Sequence, residues 1–178
     1  MEIKTKRLTL IPCNKEILEA MLIGKEAVAK LLNIEAPELW TEFGDGPIQW
    51  ALTKTEDESE NNWIAYLPIL NAKNMLIGTC GFKGKPTVDG VIEIGYEVIA
   101  SKRNRGFAKE IANALVNYGF QDSRVKIVRA HTLPVENASV KVLQYCGLRF
   151  IGYDLDPEEG EVWKWELTLE EFQKNLRV

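Results

Sequence analysis

Residues 91–121 read VIEIGYEVIASKRNRGFAKEIANALVNYGFQ, and their hydrophobic pattern changes period halfway along. Before Ser101 every second residue is apolar, which predicts a β-strand with one buried face carrying Ile92, Ile94, Tyr96 and Val98. After Gly106 the apolar residues recur at helical spacing, namely Phe107, Ala108, Ile111, Ala112, Leu115 and Tyr118. The stretch therefore predicts a strand that passes through a short turn into a long helix.

The turn between this strand and helix is basic and contains a glycine. Residues 102–105 are Lys, Arg, Asn and Arg, and Gly106 follows them. The first backbone N–H groups of a helix are unpaired and attract negative charge. Gly106 allows close approach of the backbone to a ligand, and Ala108 keeps the first helical turn small. This turn therefore predicts an anion-binding site.

The rest of the chain supplies further strands and helices around this unit. Alternating or apolar runs predict strands at residues 7–12, 63–70, 75–82, 126–132, 150–154 and 162–167. Helical spacing predicts helices at residues 17–22, 27–32, 48–52 and 140–146, and Thr168 with Glu171 forms a capping box for a last one. Residues 156–160 form the turn between the final strands. The order predicts one α/β (α+β) domain over residues 1–178, with a mixed sheet of about seven strands.

Composition and missing motifs exclude several classes of protein. A net charge of −4 argues against a nucleic-acid partner. No apolar run approaches the roughly 20 residues of a membrane span, and the N-terminus lacks a signal-peptide pattern, so we expect a cytoplasmic protein without membrane contact. Three distant cysteines and one histidine argue against disulfides and a metal site. The chain also lacks P-loop, GxGxxG, GxSxG and HExxH motifs.

Two motifs on the predicted elements resemble signatures of the GNAT N-acetyltransferases. Residues 103–108 match the R-x-x-G-x-A form of the acetyl-CoA signature. Residues 132–148, TLPVENASVKVLQYCGL, are similar to the second signature of the RimJ/RimL branch, and the runs RLTLIP and VWKWEL match that branch in position. The resemblance covers nearly the whole chain. It implies the GNAT fold, in which the sheet is splayed between its fourth and fifth strands.

The resemblance also implies acetyl-CoA as co-substrate, without a metal. The pantetheine arm would lie in the splay and pair with the backbone of Glu97, Val98 and Ile99. The pyrophosphate would be held by the turn residues Arg103, Asn104, Arg105, Gly106, Phe107 and Ala108. Asn137 would reach the cofactor from the other side.

In such enzymes the acceptor amine attacks the thioester directly, so the protein must supply a base. Glu93 is the predicted base because it lies early on the central strand. The alternatives are that Glu93 is an exposed glutamate paired with a lysine, or that the acidic run at residues 56–60 supplies the base from Asp57 or Glu58. That run is otherwise interpreted as a solvated loop or helix end.

An acid must protonate the departing thiolate. Many GNAT enzymes carry a tyrosine at the position of Leu143, so this chain departs from the pattern there. Ser139 matches the serine of the RimJ/RimL branch and is the predicted acid, although Ser139 or Asn137 could equally cap the helix. Tyr145 has suitable chemistry but lies two residues from the usual place, and water is the remaining alternative.

His131, alone on its strand, is interpreted as a polar edge or packed residue rather than a catalyst. Three tryptophans, Trp40, Trp50 and Trp63, would either line an acceptor pocket or pack in the core.

The sequence thus predicts a cytoplasmic N-acetyltransferase that acts on a primary amine. The branch resemblance favours a protein N-terminal amine, including those of ribosomal proteins. A small-molecule amine, such as a polyamine or an antibiotic, is the alternative, because the acceptor would be selected by residues 33–62 and 63–82, where the match is poorest. A non-catalytic acyl-CoA-binding sensor is the competing class. Uncovered strand edges would also allow a homodimer.

Overall fold

A computed structural model describes residues 1–157 and 159–176 of the chain. Its β-strands are β1 (Ile3–Lys4), β2 (Leu8–Pro12), β3 (Ala65–Leu70), β4 (Met75–Leu76), β5 (Gly78–Phe82), β6 (Val91–Val98), β7 (Ile127–Thr132), β8 (Arg149–Asp156) and β9 (Gly160–Thr168). Its α-helices are α1 (Lys15–Ile23), α2 (Lys25–Leu32), α3 (Gly46–Lys54), α4 (Phe107–Gly119), α5 (Ala138–Tyr145) and α6 (Leu169–Asn175).

The strands form one mixed sheet in the order β1-β2-β3-β5-β6-β7-β9-β8, with β4 paired to β3. Neighbouring strands are antiparallel except β6 and β7, which run parallel and are joined through α4. Such a parallel pair needs a crossover connection, which the long helix provides. The strand–helix–strand unit predicted from residues 91–121 is therefore confirmed.

The sheet has more strands than the seven expected, because two strands of two residues each were not predicted. One is β1, and the other is β4, which arises because the predicted strand at residues 75–82 is interrupted at Ile77. Residue 158 of the predicted turn at 156–160 lies outside the described residues. The capping box at the start of α6 is confirmed, since Thr168 and Glu171 bond each other's backbone.

Apolar side chains pack on both faces of the sheet. The larger cluster joins β6 and β7 to α4 and α5 and includes Ile92, Ile94, Ile111, Leu115 and Val128. The second cluster joins the N-terminal half of the sheet to α1, α2 and α3 and includes Leu18, Val28, Ile48, Leu67 and Ile99. The alternating residues of β6 thus divide between the two sides. Its even-numbered side chains face α4, and its odd-numbered side chains face the opposite side.

The acidic run at residues 56–60 is less solvated than the sequence indicated. Glu60 is buried, and its carboxylate accepts the backbone N–H of Lys85 at 2.8 Å. Asp57 pairs with the Lys85 ammonium at 2.7 Å. The interpretation of this run as a solvated loop or helix end is therefore wrong for Glu60, whose buried carboxylate has a hydrogen-bond partner within the protein.

A membrane span would need a longer apolar helix than any found in the described part of the chain.

Candidate active site

The sheet opens between β6 and β7. These strands pair only at Val91–Ile127, Ile92–Val128 and Glu93–Arg129. Beyond that point β6 continues to Val98 and β7 to Thr132 without pairing to each other. We call the space between residues 94–98 and 130–132 the gap. The predicted splay between the fourth and fifth predicted strands is confirmed, and Glu93 lies at its closed end.

The backbone of β6 presents alternate residues to the gap. The Lys83 N–H donates to the Glu93 carbonyl, and the Ile99 N–H donates to the Ile77 carbonyl, each at 2.9 Å. Odd-numbered residues of β6 therefore bond towards β5, and even-numbered ones turn their N–H and C=O groups to the gap. Among the residues predicted to pair with pantetheine, only Val98 faces the gap. The prediction for Glu97 and Ile99 is corrected because strand pairing already engages that side of their backbone.

The turn before α4 has the backbone shape of an anion cradle. Asn104 and Gly106 both have positive φ, 61° and 77°. Gly106 is the N-cap residue of α4, and no side chain among the described residues caps this helix. The free N–H groups of the first helical turn, which begins at Phe107, are therefore open to an anion. Ala108 is partly buried against the core beside them.

Arg7, which directly precedes β2, contacts this turn and was not predicted from the sequence as a site residue. Its guanidinium donates to the Arg105 carbonyl at 3.0 Å and lies 4.2 Å from the centre of the Phe107 ring. Its Nε also donates to Glu110 at 2.6 Å. The only signal in the sequence was the arginine that begins the RLTLIP run.

The side chain of Arg103 points back along β6 and not over the turn. Its Nε donates to the Val98 carbonyl at 2.8 Å, and its guanidinium pairs with Glu42 at 2.8 Å. Glu42 in turn donates its backbone N–H to the Glu97 carboxylate at 2.8 Å. Arg103 and Glu97 therefore tie the loop before α3 to the far end of the gap.

The residues predicted on α5 take different positions. The side-chain oxygen of Asn137 accepts the Val140 N–H at 3.1 Å and caps the helix. The cap alternative for Ser139 is therefore wrong. Ser139 lies next to the gap, because its carbonyl accepts the hydroxyl of Tyr96 at 3.4 Å. The sequence pattern predicts Tyr96 only as a residue of the buried strand face, yet its hydroxyl links β6 to α5.

Tyr145 lies away from this region. The residue is 63% exposed, and the Lys109 ammonium lies 4.5 Å from its ring centre. Both residues line an outer groove between α4 and the N-terminal segment. Leu143, at the position of the usual tyrosine, is buried in the core.

Glu93 lies among charged partners. Its carboxylate contacts the Lys83 ammonium at 2.5 Å and His131 Nδ1 at 3.0 Å. Burial by itself would raise the pKa of Glu93, but the bonds from His131 and Lys83 outweigh it and lower the pKa. The predicted pairing of Glu93 with a lysine is thus present, although the glutamate is mostly buried and not exposed. The contact with His131 was not predicted.

The other candidate groups lie elsewhere. Asp57, the rival base, binds Lys85 in the loop before β6, beyond the closed end of the gap.

Trp40 and Trp63 are buried in the two core clusters, whereas Trp50 is 38% exposed beside Lys54. Core packing therefore accounts for two of the three tryptophans. Within the described ranges, no three His, Cys, Asp or Glu side chains are grouped so that they could hold a metal ion.

Comparisons with known proteins agree with this geometry. Residues 7–149 match the family model described as an acetyltransferase (GNAT) domain. The chain is 30% identical over 93 residues to the uncharacterized N-acetyltransferase p20 of Bacillus licheniformis, a match that spans 52% of each protein. It is 22% identical over 165 residues to the uncharacterized N-acetyltransferase YjdG of Bacillus subtilis, covering 92% of this chain and 95% of that protein.

Solved structures share the fold at low identity. A RimL ribosomal L7/L12 alpha-N-protein acetyltransferase with coenzyme A superposes with a TM-score of 0.68 at 14% identity, covering 96% of this chain and 99% of that one. The aminoglycoside acetyltransferase AAC(6')-Ib with coenzyme A has a TM-score of 0.67 at 17% identity, covering 95% and 99%. Spermidine/spermine N-acetyltransferase SpeG from Vibrio cholerae has a TM-score of 0.68 at 16% identity, covering 97% and 99%. The family model spans residues 7–149, and the structure has the open sheet and the uncapped start of α4. The chain therefore belongs to the GNAT family of acetyl-CoA-dependent N-acetyltransferases.

Proposed function

We propose that this chain transfers the acetyl group of acetyl-CoA to a primary amine by direct attack of the amine on the thioester. The observation that carries the proposal is the gap between β6 and β7, which begins immediately after the Glu93–Arg129 pair. At the gap, backbone groups of β6 that have no partner strand lie close to the ionisable side chain of Glu93. An extended acyl-pantetheine arm can bond to such a strand edge as an additional strand would.

The cofactor-binding part of the proposal combines this edge with the turn before α4. The N–H groups of Phe107 and Ala108 would bind the pyrophosphate, with Gly106 allowing close approach. The backbone of Tyr96 and the N–H of Val98 would bond the pantetheine amides, since the Val98 carbonyl already accepts Nε of Arg103. Asn137 would contact the cofactor through its side-chain NH₂ group, because its side-chain oxygen caps α5.

The catalytic part assigns Glu93 as the base and Ser139 as the acid. Glu93 stays ionised at neutral pH because its pKa is lowered, so it can accept a proton from the acceptor ammonium. The assignment of Ser139 is supported by its backbone carbonyl, which accepts the Tyr96 hydroxyl beside the gap; its own hydroxyl would protonate the departing thiolate. Tyr145 is disfavoured for this step by its outward position.

We propose a protein N-terminal amine as the acceptor. The support is the resemblance to the RimJ/RimL branch and the structural likeness to a ribosomal-protein acetyltransferase. Aminoglycoside and polyamine acetyltransferases superpose about equally well, so small-molecule amines form the second arm of the test. An acidic net charge of −4 is compatible with any of these cationic acceptors.

Release of free thiol from acetyl-CoA in the presence of N-terminal peptides, aminoglycosides and polyamines tests the proposal. We expect turnover with a peptide amine. Turnover with a polyamine or antibiotic alone would overturn the acceptor assignment, and cofactor binding without any turnover would indicate the acyl-CoA sensor. Glu93→Gln is expected to lower kcat by roughly 10²-fold or more. The matched control is Glu161→Gln, at an exposed position of β9.

Self-association and a cytoplasmic location stay predictions. The uncovered edge strand β8 exposes Phe150, Ile151, Tyr153 and Leu155. A second copy could pair with this edge. Sedimentation of the wild-type chain and of Ile151→Lys tests self-association, and a monomer at all concentrations would overturn it.

A further inference from the structure

A chain of alternating charges crosses the closed end of the gap, with His131 at its centre. Its Nδ1 lies 3.0 Å from Oε1 of Glu93, and its Nε2 lies 3.0 Å from Oδ2 of Asp154. Each carboxylate is also paired with a lysine, Glu93 with Lys83 at 2.5 Å and Asp154 with Lys164 at 2.8 Å. Three strands therefore meet at this imidazole, since Glu93 lies on β6, His131 on β7 and Asp154 on β8. The two lysines, one on β9 and one directly after β5, contact the carboxylates and not the ring.

This arrangement favours the protonated imidazole. A neutral imidazole carries one N–H, so one of its two nitrogens would turn a lone pair towards a carboxylate oxygen. Only the imidazolium donates to Glu93 and Asp154 together. In agreement, the bond to Glu93 raises the pKa of His131, burial opposes the rise, and the bond to Asp154 adds to it.

The surrounding charges do not cancel this preference. Arg129, two residues before His131 on β7, is paired with Glu166 of β9 at 2.5 Å. Lys164, also on β9, is paired with Asp154, and Lys83 is paired with Glu93. The side chains of Glu93 and His131 are 21% and 18% exposed, so the pair is shielded while still open at one side.

We infer that Glu93 and His131 act as one proton-accepting unit, in which the proton that Glu93 takes from the acceptor ammonium comes to rest on His131. The inference depends on the proposed acetyl transfer. In the reactive form Glu93 is a carboxylate and His131 is neutral, with Nε2–H donating to Asp154 and the Nδ1 lone pair facing Glu93. An N–H bond of the ammonium breaks as an O–H bond forms on Glu93. That proton then moves to Nδ1, and Asp154 holds the resulting imidazolium.

Each residue thus has a separate part. Glu93 touches the acceptor, His131 stores the proton, and Asp154 is a positioning residue that fixes the tautomer of His131. The unit resolves a difficulty in the base assignment. A carboxylate whose pKa is lowered is a poor final holder of a proton, whereas the neighbouring imidazole, whose pKa is raised, is a good one.

The single histidine of the chain makes the first test direct. The pH titration of the His131 ring signals by NMR gives its pKa without any turnover. We expect a pKa above 6.5 in the wild-type chain, and a lower pKa in Asp154→Asn and in Glu93→Gln. Glu161→Gln, whose side chain is exposed on β9, is the matched control and should leave the titration unchanged. A wild-type pKa at or below 6.5, or no fall in Asp154→Asn, would overturn the inference.

The second test is the pH profile of kcat/KM with one fixed acceptor amine. We expect the activity to rise with pH through the NMR-determined pKa of His131. In Asp154→Asn this rise should move to lower pH by the same amount as the NMR pKa. In His131→Gln that rise should be lost, and kcat should fall tenfold or more. A purely structural role would lower the rate at every pH without moving the rise.

These outcomes separate the two proposals. Absence of turnover by the wild-type chain with every amine would overturn the proposed function, and the catalytic role of the unit with it, whatever the NMR titration shows. Turnover with a profile that does not follow the His131 pKa would overturn the proton-accepting unit alone. Circular dichroism of each variant confirms that it is folded before either measurement is interpreted.

Discussion

Arg7 and Glu110, 103 residues apart in the chain, hold the N-terminal segment against the first turn of α4. The Arg7 backbone N–H and Nε donate to the two carboxylate oxygens at 2.8 and 2.6 Å, and Thr5 adds a third donor at 2.6 Å. The same guanidinium bonds the Arg105 carbonyl, inside the proposed pyrophosphate turn. The turn is thus fixed from outside as well as by its own glycine.

Arg7→Met is expected to weaken binding of coenzyme A about tenfold, which corresponds to roughly 1.4 kcal/mol. The variant loses the bond to the Arg105 carbonyl and the cation–π contact with Phe107. The turn is then less ordered in the free protein, and the free energy needed to order it on binding lowers the affinity for coenzyme A. Calorimetric titration with coenzyme A measures the change. Lys4→Met is the matched control, because Lys4 lines the same groove but its side chain is 76% exposed. Equal affinity in both variants would contradict the supporting role of Arg7.

The Glu110 carboxylate should make part of the folding stability depend on pH. Burial alone would raise its pKa, but the bonds from Thr5 and Arg7 outweigh it and lower the pKa below the ordinary 4.5. A carboxylate with a lowered folded-state pKa stabilises the protein fully above its unfolded pKa, and this stability is lost as the pH falls through the folded pKa.

The wild-type Tm is therefore expected to fall more steeply below about pH 4.5 than that of Glu110→Gln. At pH 7 the variant should be less stable, and the two curves should converge in acid. Thermal unfolding from pH 7 to 3 checks this, with Glu161→Gln as the exposed control. Parallel curves would mean that Glu110 contributes no pH-dependent stability.

The local elements of the fold could be predicted because each has a local cause. The period change at residues 91–121 specifies β6 and α4, and the capping box specifies the start of α6. Strand β1 was missed because so short a segment has no period and forms only through its partner, as Ile3 pairs with Leu10. Strand β4 lies within the predicted strand at residues 75–82, and only the break at Ile77 was missed. Burial of Glu60 was missed for a similar reason, since its partner Lys85 lies 25 residues away.

The candidate site was predictable only where it depends on sequence-local features. Gly106 and the uncapped helix start follow from the turn itself. Along β6, alternate residues turn their backbone groups to β5 and to the gap. Which residues face the gap depends on how β5 pairs with β6, and the sequence does not show this, so Glu97 and Ile99 could not be excluded. The bridge of His131 between Glu93 and Asp154 joins three strands, and no spacing in the sequence encodes such a register.

Two substitutions distinguish whether Ser139 or Tyr145 is the acid that protonates the departing thiolate. Ser139→Ala is expected to lower kcat by roughly 10²-fold with little change in acetyl-CoA affinity, because a general acid acts mainly in the transition state. Tyr145→Phe should leave both unchanged, since the Tyr145 ring lies in the outer groove beneath Lys109. Steady-state kinetics with the preferred amine measure both. A loss of kcat in Tyr145→Phe alone would reverse the assignment.

Two glycines on the paired strands β5 and β6, Gly78 and Gly95, should respond very differently to an added methyl group. A Cβ on Gly78 would lie 2.0 Å from the carbonyl oxygen of Glu97, whereas a Cβ on Gly95 would meet nothing within 4 Å. Gly78→Ala must therefore push β5 away from the far end of β6, where the gap and the Glu97–Glu42 contact lie. Overpacking of this kind costs roughly 1–3 kcal/mol.

Urea unfolding should accordingly show a lower free energy of unfolding for Gly78→Ala and a nearly unchanged one for Gly95→Ala. Because Gly78 pairs with Val98, the same substitution should also weaken coenzyme A binding, since it shifts the strand edge proposed to bond pantetheine. Gly95→Ala adds its methyl group on the opposite face from α4 and should leave cofactor affinity intact. Equal stability of the two variants would show that β5 and β6 can separate at little cost, and the gap would then be a less rigid binding edge than its pairing indicates.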